Sequence, residues 1–216
     1  MGHAGVTMSV LTPNEYEKLA EFAFSEGNPG YRPTVTESPD GDGVWDDAKK
    51  YAHISPKYMK AAPESEAKAY AQKIYDRSFE EAARVCGELA VPKEFFPGPD
   101  STLRVLYYPS WASSSAHTDF DFFTLCMFRD RTEGFRYLDK KTLPELQKAR
   151  EISPGIHFGE LYQEVLGVKP TKHEVVGLPL PQKSAVFFVV PPHESVLLSG
   201  TSVGNWMAER KHRSRK

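Results

Sequence analysis

The sequence predicts an α+β domain that is mainly β in its second half, with a jelly roll as the architecture suited to its strands. Three observations carry this. Between 103 and 190 the apolar runs are short and separated by polar turns, the pattern of an antiparallel β fold. Ahead of them lie two stretches with apolar residues at helical spacing, and further helical patterns at about 142–150 and 159–166 interrupt the strands.

Each element has its own signal. Thr12-Pro13-Asn14-Glu15 reads as a capping box with proline at the first helical position, and Gly27 supplies the stop. Residues 28–46 are dense in Gly, Pro and Asp and read as a long loop. A second helix is expected over about 64–90, with Ala67, Ala71, Ile74, Ala82, Val85 and Leu89 on one stripe against a sheet. The run FDFFTLCMF at 120–128 reads as a strand ending in a polar turn at 129–134. Val203, Trp206, Met207 and Arg210 suit one edge of a short terminal helix, followed by a basic tail. No repeat or linker divides the chain. One domain is expected over 1–216, with a helical and loop front (1–100), a jelly-roll core (101–192) and a C-terminal helix with its tail (193–216).

At 216 residues, 40% hydrophobic and 12% aromatic, the chain can bury a core without disulfides. Cys86 and Cys126 have neither zinc-site spacing nor a disulfide framework, and are expected to be packing residues. The net charge of -2 argues against a general nucleic-acid binder, and the basic run at 210–216 is expected to be a solvated end. No apolar run approaches a membrane span, the start MGHAGVTMSV does not read as a signal peptide, and Val6 spoils a myristoylation motif. A cytoplasmic protein without nucleic-acid or membrane partners is expected, as a monomer or weak homodimer.

The chemistry concentrates at His117-Thr118-Asp119. On a strand, residues two apart share a face, so His117 and Asp119 point the same way and Thr118 the other. With His173 they make a 2-His-1-carboxylate set, the facial triad of non-haem Fe(II) oxygenases. The tripeptide alone is weak evidence in a chain with 7 histidines, where a solvated histidine beside an acid is common. His53, His157, His193 and His212 are expected to be structural or solvated, with His157 too near the turn at Gly159-Glu160 to share the triad's face.

The neighbours are more specific. LRVLYYP at 103–109, Ala116-His117-Thr118-Asp119, Thr124-Leu125 and Gly134-Phe135-Arg136-Tyr137 follow one another in order. Then come IHFGELYQ at 156–163, Thr171-Lys172-His173-Glu174-Val175 and Ser184-Ala185-Val186-Phe187-Phe188, closed by Pro191. Over roughly 100–192 this series resembles the isopenicillin N synthase-like branch of the Fe(II)/2-oxoglutarate oxygenases. The resemblance implies a double-stranded β-helix braced by N- and C-terminal helices, with His173 entering from a strand of the sheet facing His117 and Asp119. It implies His117, Asp119 and His173 as metal-binding and catalytic residues, and Fe(II), dioxygen and 2-oxoglutarate as requirements, with ascorbate supportive. It implies oxidation of a C–H bond of a small organic substrate, with succinate and CO2 as coproducts. It implies Tyr108 and Ser184 as hydroxyl donors to the cosubstrate, and a segment bordering the active site at Tyr31 and Arg32, which contact substrate or belong to a plain surface loop.

Three departures matter. Gln182 stands where the branch has the arginine of Arg-x-Ser, and an amide brings neither charge nor a bidentate fork. Lys183 is next door but faces away on a regular strand unless a bulge returns it, and Arg104 shares strand parity with Tyr108, so both are candidates for the missing cation. Glu174 replaces the arginine after the distal histidine, and the N-terminal module is shortened. Two alternatives therefore stay open: an oxidase of the isopenicillin N synthase type that needs no 2-oxoglutarate, and a catalytically silent jelly-roll binding module. Phe122, Phe135, Tyr137 and Phe188 are expected to line an apolar cavity or to pack the core.

Overall fold

A computed structural model describes residues 10–35, 49–138 and 143–213. The expected capping box starts the first helix, α1 (Pro13–Ala23): the Thr12 hydroxyl accepts from the Glu15 N–H, and Glu15 accepts from the Thr12 N–H at 2.8 Å. Strands β1 (Tyr31–Val35) and β2 (Lys49–Ile54) follow, then α2 (Pro56–Ala61) and the long α3 (Glu66–Glu88), capped by Ser65. The second half comprises β3 (Thr102–Tyr108), β4 (Ser114–His117), β5 (Phe123–Arg129), β6 (Phe135–Tyr137), α4 (Pro144–Ile152), β7 (Ile156–Phe158), α5 (Glu160–Leu166), β8 (His173–Val175), β9 (Gln182–Val189) and α6 (Val203–Arg213).

The strands form two antiparallel sheets, one of six strands in the order β1-β2-β3-β9-β5-β7 and one of three in the order β4-β8-β6. This is the jelly roll with flanking helices. Alternation along each strand assigns the two faces of the large sheet. Leu103, Val105, Phe123, Leu125, Ala185, Phe187 and Val189 belong to the core beneath the helices. There Phe187 meets Tyr75 and Phe79 of α3, a burial worth about 1.5–3 kcal/mol for such a side chain. Leu106, Tyr108, Val186 and Phe188 take the opposite face, toward the small sheet, with Tyr51 and Ala112.

Two sequence expectations are corrected here. The loop expected over 28–46 contains β1, whose hydrogen-bonding partner β2 also went unforeseen, so the helical and loop front adds two strands to the main sheet; residues 36–48 lie outside the described residues. The strand expected from Phe120 begins only at Phe123, because 120–122 form a bend docked on the start of α5, with the Gly159 N–H donating to Phe122 O and Leu161 N–H to Asp121 O. Of the two expectations for Phe122, the structure shows core packing: it is fully buried beside Phe95 and Tyr162 on the helix side. Cys86 and Cys126 are free thiols, on α3 and β5. No described helix is long and apolar enough to cross a membrane.

Candidate metal centre

The small sheet and the loop after β4 assemble the triad. His117 closes β4 and stands directly opposite His173 on β8, so both histidines lie on adjacent strands of one sheet. This corrects the expectation that His173 enters from the facing sheet; the histidines are paired by strand register. Asp119 follows two residues later, in the bend before β5. Asp119 Oδ1 lies 3.7 Å from His117 Nε2 and 3.9 Å from His173 Nε2, and one donor atom from each residue falls within 4.8 Å of the others. One ion at bonds of about 2.0–2.2 Å would fit between them with slight contraction.

Hydrogen bonds set the histidine tautomers. His117 Nδ1 lies 2.6 Å from Ser115 O and His173 Nδ1 3.1 Å from Thr171 O. A carbonyl only accepts, so both Nδ1 atoms carry the proton and both Nε2 lone pairs face Asp119. Burial lowers the His173 pKa to about 3, against the pull of Asp119, so the imidazole is neutral and ready to ligate. Burial works to raise the Asp119 pKa, yet the surrounding His173, His157 and His117 outweigh it and hold the carboxylate ionised well below its usual range.

His157 is a correction. It is buried on β7, its Nε2 lies 2.9 Å from Asp119 Oδ2, and its ring centroid is 4.4 Å from that of His173. The flanking Ile156 and Phe158 point into the helix-side core, so alternation aims His157 at the site. The strand period at 156–158 was the signal; the nearby turn obscured it. Thr124 on β5 adds a second bond to Asp119 Oδ2, at 2.7 Å, and also lies 2.9 Å from Asp121 Oδ2. One hydroxyl proton cannot serve both carboxylates. Burial and the Asp119 charge raise the Asp121 pKa well above the usual range, while Asp119 stays ionised, so the Thr124 hydroxyl bridges two carboxyl groups of opposite tendency.

Thr118 points the other way, as strand parity predicts, and donates to Glu160 Oε1 at 2.7 Å. Arg210 of α6 grips Glu160 with two bonds, of 2.6 and 2.9 Å, and lies over Phe120. Arg210 is therefore not part of a solvated end, which corrects that expectation at this residue; the side chains of 211–216 lie outside the described residues.

Beside the triad, a small cleft open to solvent lies between the two sheets, lined in part by Tyr108, Arg129, Phe135, Gln182, Lys183 and Ser184. Arg129, which reads from the sequence as the start of a polar turn, joins five residues already singled out there. The ammonium group of Lys183 pairs with Glu17 at 2.6 Å, on the α1 side of the sheet, as a regular strand dictates. Arg104 donates to His53 Nε2 at 2.8 Å and lies over the Tyr51 and Phe188 rings. Gln182 donates to Val176 O at 2.8 Å and packs against Gly134, where a Cβ would collide with its amide oxygen. Arg32 folds onto the carbonyls of Pro29 and Tyr31, and Tyr31 packs on Phe24, so neither is brought to the triad.

No protein-family model and no curated protein sequence matches the chain. Its fold does match solved structures. Full-length T7H of Neurospora crassa, in complex with alpha-KG, is 18% identical with a TM-score of 0.62, over 93% of this chain and 83% of that one. A putative oxygenase from Shewanella oneidensis is 18% identical with a TM-score of 0.61, over 95% and 88%. JOX2 in complex with 2OG, Fe and JA is 15% identical with a TM-score of 0.59, over 93% and 75%.

Proposed function

We propose that the protein is a non-haem Fe(II) oxygenase that uses dioxygen and 2-oxoglutarate to hydroxylate or otherwise oxidise a C–H bond of a small organic molecule, within the isopenicillin N synthase-like branch. The convergence of His117 Nε2, Asp119 Oδ1 and His173 Nε2 on one point carries this reading. Fold neighbours solved with alpha-KG, and in one case with 2OG and Fe, support it, as do the thymine and 5-formyluracil complexes of T7H.

Iron(II) held by the triad would supply dioxygen activation coupled to oxidation of the 2-oxo acid. The chain's own residues fit that group. Two imidazoles and one ionised carboxylate present their donors from one side, leaving the other side for exogenous ligands. His157 and Thr124 occupy Asp119 Oδ2, so that Oδ1 remains the free donor. Phe135 stacks on the His173 ring at 5.2 Å and forms an apolar wall of the cleft. Tyr108 and Ser184 bring two hydroxyl-bearing side chains to the cleft wall, the roles assigned to them toward the cosubstrate.

The test is iron content after anaerobic purification, followed by succinate release with Fe(II), ascorbate and 2-oxoglutarate but no added substrate. Wild type is expected to bind one iron and release succinate slowly, and His117→Ala and Asp119→Ala to do neither. Iron binding without any use of the 2-oxo acid would favour the oxidase alternative. Failure to bind iron would favour a silent binding module.

A further inference from the structure

We propose that Arg129 is the counter-ion for the distal carboxylate of the 2-oxo acid, brought into the cleft by a one-residue bulge in β5; this deepens, and rests on, the function proposed above. The bulge is visible in the strand register. Cys126 pairs with Val186, but the next partner of β9, Ala185, pairs with Phe128, leaving Met127 as the extra residue. Met127 and Phe128 are both buried in the helix-side core, so the alternation restarts one residue late. Without the insertion Arg129 would share the parity of Leu125 and point toward the helices, away from the cleft. With it, Arg129 stands directly opposite Ser184 and enters the cleft.

The surroundings of Arg129 fit an anion. Its guanidinium lies 3.8 Å from the Phe135 ring centroid, and among the described residues no carboxylate or hydrogen-bond acceptor engages it. Ser184 and Tyr108, both able to donate a hydroxyl proton, share the same cleft. A half-buried guanidinium beside two hydroxyls and an apolar wall is complementary to a carboxylate, which it can grip with two parallel bonds. Phe135 also fixes the direction of the ligand, since the ring beneath Arg129 is the ring stacked on His173. A ligand that chelates at the triad and reaches Arg129 needs a second anionic end, one ring's width away along an apolar spacer. A 2-oxo dicarboxylate has that form, and a 2-oxo monocarboxylate does not. Of the neighbouring cations, Lys183 pairs with Glu17, Arg104 donates to His53, and the buried Lys49 lies over the Tyr108 ring at 5.7 Å.

The experiment is anaerobic calorimetry on the full-length, Fe(II)-loaded protein, titrating 2-oxoglutarate and, separately, pyruvate, which lacks the distal carboxylate. Wild type is expected to bind 2-oxoglutarate more tightly than pyruvate. Arg129→Gln should weaken 2-oxoglutarate roughly 10- to 100-fold while leaving pyruvate and Fe(II) affinity unchanged. Arg129→Lys keeps the charge and the stem over Phe135 and should recover part of the loss. Equal weakening of both acids, or no change in either, overturns the assignment while leaving the oxygenase reading intact. A wild type that binds iron but neither acid overturns both.

Discussion

His157 Nε2 donates to Asp119 Oδ2 across 2.9 Å, and this bond decides which carboxylate oxygen is left to face the two triad histidines. With Thr124 on the same oxygen, Asp119 offers only Oδ1 toward His117 and His173. Replacing His157 by phenylalanine keeps the ring packing but frees Asp119 to rotate. The expected result is Fe(II) affinity lowered about 10- to 100-fold, the usual effect of losing a bond that orients a ligand. His157→Gln, which retains a donor, should lose less. Anaerobic Fe(II) titration measures both; unchanged affinity in the phenylalanine variant would show that Thr124 alone orients Asp119.

The triad was legible because it is encoded by type and spacing, and β9 because Ser184-Ala185-Val186-Phe187-Phe188 has a clear period. His157 and Arg129 were not, for physical reasons. Strand β7 has three residues, too few for its alternation to stand out beside a turn. The face on which Arg129 emerges depends on the bulge at Met127, and a bulge is a property of two paired strands. The same holds for β1 and β2: Pro33 makes β1 look like loop, and its pairing with β2, which in turn pairs with β3, makes it sheet. His173 was placed on the wrong sheet because the order β4-β8-β6 is set by tertiary pairing.

Glu160 links the triad loop to the C-terminal helix, accepting from Thr118 on one side and from Arg210 on the other. The Arg210 and Glu160 side chains are only 22% and 20% exposed, so this pair is less screened than a surface bridge. Arg210→Ala is expected to lower the melting free energy by about 1–3 kcal/mol and, by loosening Thr118, to weaken iron binding. Arg210→Lys should restore part of the stability, having one donor centre in place of the fork. Thermal melts with and without Fe(II) test this: a variant as stable as wild type would show that α6 docks by its apolar edge alone.

Acid stability should report the α1 capping box. The Arg77 guanidinium and the Thr12 backbone N–H hold Glu15 at about 2, below its usual 4.5. A depressed folded pKa means that the unfolded chain takes up the proton first as pH falls. The stabilisation is therefore complete above about pH 4.5 and lost as pH drops toward 2. Because Glu15 is 26% exposed, its contribution is about 1 kcal/mol. Glu15→Gln should be less stable than wild type by that amount at pH 7, with the gap closing below pH 4.5. A gap that persists at low pH would assign the effect to packing.

Gly159 tests whether the loop carrying Asp119 and Asp121 must sit flush on α5. A Cβ at this position would come within 2.1 Å of the Asp121 carbonyl oxygen, a backbone atom that cannot swing aside. Gly159 is extended, with φ -90, so alanine brings no conformational strain of its own and the collision is the whole effect. Gly159→Ala should cost about 1–3 kcal/mol of stability, as overpacking does. It should also push Asp121 and its neighbours outward, breaking the Glu160 N–H bond to Asp119 O, now 2.8 Å, and shifting Asp119 off the two histidines. Iron affinity is then expected to fall together with the melting temperature. By contrast, Gly87→Ala on α3, where a Cβ meets nothing within 4 Å, should leave iron binding unchanged and raise stability by roughly 0.5–1 kcal/mol. Equal behaviour of the two variants in an iron titration would show that the loop's position is not what aims Asp119.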